Sequence, residues 1–184
     1  MKALDRMAMR GGDDVLGTDN PADVASPARS QRGHVTRSSF RDFDPPAALR
    51  VVRLMGATSK RVFDAWLDPE IAGRWLFATA SQPVERIAID ARVGGWFRCV
   101  EGRSHEVVEH IGEYVEITPD RRLVFTLSVE KRPHVITRVC VDISPRDAQC
   151  ELTLVQVNVP RSCVDYVESR WTGMLFGLDD MLHQ

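Results

Sequence analysis

No apolar run in the sequence comes near the ~20 residues that a helix needs to span a bilayer, so no membrane partner is expected. The opening MKALDRMAMRGGDD is broken by Asp5 and Arg6 and lacks the apolar core of a signal peptide. An excess of one charge is also missing. The formal net charge of -2 gives nucleic acid or an anionic membrane surface nothing global to hold. Cysteines are few: Cys99, Cys140, Cys150 and Cys163 form no C-x-x-C pair and have no His at metal-ligand spacing. They read as buried, reduced thiols in a cytoplasmic protein, with no metal and no cofactor expected. Missing too are a phosphate loop, a G-x-S-x-G elbow and any local nucleophile–His–acid signature. An enzyme would have to assemble its site from residues scattered along the chain.

Aromatic side chains are absent before Phe40, and no period of 2 or 3.6 runs through residues 1–46. Such a segment cannot bury enough surface to offset the entropy of ordering, so it is expected to be a disordered tail. Its arginines at 29, 32, 37 and 41 are matched by aspartates, which argues against a nucleic-acid arm. Residues 47–184 are the expected domain. "AALRVVRLM" alternates as a strand. Thr58 then caps "SKRVFDAWL", and Asp68-Pro69 starts a second short helix. The two helices stack Trp66, Trp75 and their neighbours at i,i+4 spacing.

From Pro83 to Val159 the period is 2, in six runs parted by turn residues. Every gap is too short for a parallel crossover, so the sheet is an antiparallel meander. Gly112, inside a long strand, suggests a bulge. "DARVGG" has two glycines but opens no helix, and reads as a tight hairpin with φ above zero at the glycines. The end is a helix with Ser162 as expected N-cap and a stripe of Trp171, Met174, Leu175 and Leu178. Gly173 and Gly177 within it suggest a close approach to the sheet, or room left beside it.

"VFDAWLDPEIAGRW", "IDARVGGWFR", "GEYVEITPDRRLVFT" and "ELTLVQV", with a Trp in the last helix, resemble START-like (SRPBCC) domains. Within them they resemble the branch named for the activator of the 90-kDa heat-shock protein ATPase. The resemblance covers about residues 49–184 and implies an α+β helix-grip fold. That fold is a curved antiparallel sheet of about seven strands, with two short helices after the first strand and a long C-terminal helix across it. Two departures stand out. Trp75 is followed by Leu76, Phe77 and Ala78 where many relatives carry a second Trp and a Pro, and Arg170 replaces a Gly before the last-helix Trp.

Helix-grip domains commonly hold apolar ligands, so the resemblance implies a cavity between sheet and last helix. Trp75, Phe97, Tyr114, Phe125, Leu127, Trp171 and Met174 are its candidate lining. The expected function is non-catalytic binding of a small apolar or amphipathic molecule. Two alternatives stay open: a protein-interaction or co-chaperone module, with a chaperone or other protein as partner, and a cavity enzyme of the cyclase, dehydratase or hydrolase kind. His105 and His110 with Glu106, Glu109 and Glu113 could also serve acid–base or metal chemistry, although carboxylate-rich strands are usually solvated edges.

Overall fold

The computed structural model describes residues 45–78, 84–103 and 106–183. Of the expected tail only the last two residues fall among these, and Pro46 already opens a strand; the rest lie outside the described residues. In β1 (Pro46–Met55) the alternation buries Leu49, Val51 and Met55 and turns Arg50, Val52 and Leu54 outward. Thr58 caps α1 (Ser59–Leu67), its hydroxyl accepting from the Arg61 N–H at 3.4 Å. Asp68 caps α2 (Pro69–Ala72), its carboxylate accepting from the N–H groups of Glu70 at 2.8 Å and Ile71 at 3.3 Å. Pro69 sits at the first helical position, where a missing N–H costs nothing.

Six strands follow: β2 (Val84–Ile89), β3 (Trp96–Arg103), β4 (Glu106–Thr118), β5 (Arg122–Val129), β6 (Arg132–Arg146) and β7 (Gln149–Pro160). Each pairs antiparallel with the next, and β1 returns beside β7, giving the order β1-β7-β6-β5-β4-β3-β2. A 3-10 turn (Arg161–Cys163) then leads into α3 (Val164–His183), which lies against the sheet. This is the helix-grip α+β fold.

Local chemistry differs from expectation at three points. Ser162 lies inside the 3-10 turn rather than capping a helix, because the fixed φ of Pro160 starts the turn earlier; no side chain caps it. The β4–β5 register breaks between Tyr114 and Glu116, not at Gly112. Gly112 answers a different need, since a Cβ there would collide with the Phe97 ring and the Thr126 carbonyl. In the β2–β3 hairpin Gly94 alone of the two glycines has positive φ, at 76°.

Leu123, Phe125 and Leu127 of β5, Val139, Val141 and Ile143 of β6, and Cys150, Leu152 and Leu154 of β7 form the inner face. α3 covers it with Trp171, Met174, Leu175, Leu178 and Leu182. Gly173 and Gly177 face the other way. A Cβ on either would meet nothing within 4 Å, so they neither admit the sheet nor leave room beside it. The far end of α3 is held by Asp179, which accepts from the Gly56 N–H at 2.8 Å and pairs with Arg53 at 3.0 Å. Among the described residues no helix is long and apolar enough to cross a membrane.

Candidate functional site

α3 and the sheet part company along the first half of the helix. Two backbone features set this end of the structure. Asn158, at φ 63°, puts an extra residue into β7 opposite β1 and turns Val159 and Pro160. Phe77, just after α2, sits at φ 60°, an uncommon place for a bulky side chain. Its N–H points at the Met174 sulfur, 3.1 Å away, and its ring stacks on His110 with centroids 3.8 Å apart and planes 3° off parallel. Between these features lies a partly open cavity of about 690 Å³. It is lined by Val108, Leu127, Val129, Val135 and Val159 from the strands, by Val167, Trp171 and Met174 of α3, and by Phe77.

Polar groups reach this wall in two sets. The first is a chain from helix to sheet. The Trp171 indole donates to Gln156 Oε1 at 2.6 Å, Gln156 Nε2 to the Thr137 hydroxyl at 2.8 Å, and that hydroxyl to the Leu127 carbonyl at 2.9 Å. Four elements, α3, β7, β6 and β5, are thereby joined beside the cavity. The second set is charged. Glu101, only 1% exposed, accepts from Arg170 through both terminal nitrogens, at 3.2 and 3.3 Å. His110 Nε2 lies 3.0 Å from the same carboxylate. Beside a carboxylate that can only accept, that nitrogen is the donor. Arg170 also reaches the Tyr166 hydroxyl at 3.4 Å. Nearby, Cys99 is pushed up to about 12, first by burial and then by the Glu101 charge, with Arg170 opposing. Its thiol is therefore inert at neutral pH.

Leu127, Trp171 and Met174 of the candidate lining stand on the cavity wall. The other four are packed together deeper in. Trp75 meets Trp66 edge-on at 4.7 Å and donates its indole N–H to the Ala65 carbonyl. Phe125 packs edge-on against Phe97 at 5.4 Å and against Tyr114 at 6.2 Å. Burial raises the Tyr114 phenol above its ordinary range. So the aromatics of the helix pair wedge it onto the sheet, and the pair reaches the cavity through Phe77.

Glu101 and the Thr137–Gln156–Trp171 chain escaped the sequence reading. Glu101 had a visible signal, a charge at the inward position of the Phe97, Cys99, Glu101 alternation. His110 and Tyr114 share the inner face as expected, whereas His105 and the Glu106 side chain lie outside the described residues. Cys99 and Cys150 are buried, while Cys140 and Cys163 are half-buried. Phe77 and Arg170, at the two departures from the resemblance, both face the cavity.

The family model for activator of Hsp90 ATPase homolog 1-like proteins matches residues 56–183. The chain belongs to this family. The fold of this activator-like domain recurs in a Chromobacterium violaceum protein, 22% identical, with TM-score 0.67 over 74% of this chain and 97% of that one. It recurs in a Nitrosomonas europaea protein, 18% identical, with TM-score 0.64 over 74% and 94%. An activator-like protein from Aeromonas hydrophila, 16% identical, aligns with TM-score 0.63 over 74% and 92%. A search of curated proteins finds no match. Family membership supports a ligand-binding or co-chaperone-like domain.

Proposed function

We propose that the protein binds a small molecule with an apolar body in the cavity between α3 and strands β4 to β7, without transforming it. The observation that carries this reading is the cavity itself. At about 690 Å³, walled mostly by valines, leucine and aromatics with a few convergent polar groups, it has the size and make-up of small-molecule sites. The same reading has the protein work in the cytoplasm, where half-buried thiols stay reduced.

The test is a neutral fluorescent probe such as N-phenyl-1-naphthylamine. It should bind native protein at one site, quench the emission of Trp171, and be excluded by Leu127→Trp with the fold retained. Equal binding to wild type and Leu127→Trp would move the probe elsewhere and end this reading.

A second reading, a co-chaperone or other protein-interaction module, draws on the family's description. It also draws on the opposite face of the sheet, where Trp96, Ile111 and Ile136 line a shallow cleft. Loss of chaperone binding on Trp96→Ser, with probe binding intact, would favour it.

A further inference from the structure

Gln156 turns inward from β7, is 3% exposed, and lines the cavity together with Thr137. Its amide is oriented from both sides. An indole N–H can only donate, so the amide atom 2.6 Å from Trp171 is Oε1. Nε2 is then the atom 2.8 Å from the Thr137 hydroxyl. That hydroxyl accepts from it and spends its own hydrogen on the Leu127 carbonyl at 2.9 Å. Every polar hydrogen of the chain now has an acceptor except one. A primary amide carries two N–H groups, and among the described residues nothing accepts from the second one on Nε2. Lone pairs are left over on Oε1 and on the hydroxyl as well. Buried oxygens tolerate a missing donor better than a buried N–H tolerates a missing acceptor.

We infer that the ligand is a neutral carbonyl compound, a ketone or ester, whose carbonyl oxygen accepts from the free N–H of Gln156. Its hydrocarbon lies on Leu127, Val135 and Val159, which line the cavity with that amide. This deepens the small-molecule reading above and rests on it. A pure hydrocarbon seated there would strip the N–H of water and return no acceptor. A charged ligand would have to leave water for a wall whose polar side chain is an uncharged amide. The charged groups nearby are turned to one another, with Arg170 and His110 both on Glu101. Trp171 and Thr137 hold the amide from either side, so its donor is set before any ligand arrives.

The experiment displaces the neutral probe with three molecules of nearly one shape, at neutral pH. They are 2-acetylnaphthalene, 2-isopropenylnaphthalene, in which a methylene replaces the carbonyl oxygen, and 2-naphthoate. The ratio of ketone to alkene affinity is compared between wild type and Gln156→Met, so that their different affinities for water cancel. Methionine keeps the length of the side chain and removes the N–H. The ratio should fall about fivefold in the variant, the size of one neutral hydrogen bond. In wild type the carbonyl stretch of the bound ketone should lie at lower frequency than in hexane, and 2-naphthoate should bind more weakly than the ketone. An unchanged ratio would overturn the inference and leave the cavity reading standing, since both molecules would still displace the probe. Tightest binding by 2-naphthoate would move the head group to Arg170 and overturn it as well. Should Gln156→Met not fold, the wild-type carbonyl stretch decides, and a hexane-like frequency sinks the inference. If none of the three displaces the probe, the cavity reading falls along with it.

Discussion

Glu101 shows what a single residue asks of its surroundings. A carboxylate held at 1% exposure is stable only while hydrogen-bonded cations satisfy it. Arg170→Met should therefore cost ~3–5 kcal/mol in denaturant unfolding, far more than Glu101→Gln/Arg170→Gln, which removes both charges. Trp75→Ala should also cost ~3–5 kcal/mol, since its indole is packed on Trp66 and bonded to a backbone carbonyl. Its affinity for the probe, measured on folded protein, should not change. Cys99 adds a pH dependence. Its folded value lies at about 12 against an ordinary 9.0, so above pH 9 the unfolded chain gives up a proton that the folded chain keeps. Its contribution to stability is whole below pH 9 and falls as pH rises towards 12. Tyr114, raised by burial, acts in the same direction at higher pH. Denaturant titrations across this window should show the decline, and Cys99→Ala should remove its share of the slope.

Elements were more legible in the sequence than the contacts between them. The caps Thr58 and Asp68 act within three residues of themselves, so local chemistry was enough to find them. Alternation told which side chains of β5 turn inward. It could not tell Phe125 from Leu127, because both point to the same face. What separates them is how far the helix stands off the sheet at each position along the strand. The triad of Glu101, His110 and Arg170 joins β3, β4 and α3, and only the tertiary fold brings those together. The two glycines of α3 were readable and misread. At about 100° per residue, Gly173 and Gly177 fall roughly opposite Trp171. Being exposed, with open space where a Cβ would go, each should accept alanine and gain about 1 kcal/mol of stability. A loss on thermal or denaturant melting would mean that this face is covered.

At the scale of the whole molecule, residues 1–44 contribute no pattern able to pack. Their deletion should leave the melting temperature of the domain unchanged, and a fall of several degrees would show that they dock. The position of β1 has a further consequence. The first strand of the domain hydrogen-bonds to the last, with Val51 opposite Leu154, and α3 lies partly on β1. Synthesis delivers these partners at opposite ends of its course. While β2 to β6 can pair hairpin by hairpin as they leave the ribosome, β1 must wait for β7, its strand partner, and α3 emerges last. Until then the inner face of the nascent sheet, with Leu123, Phe125 and Val139, lacks the cover that α3 supplies. Closing the domain is thus a late, long-range event whose loop entropy must be met at once. Chains released before α3 is complete should be the ones that aggregate or engage chaperones, whatever the finished protein binds.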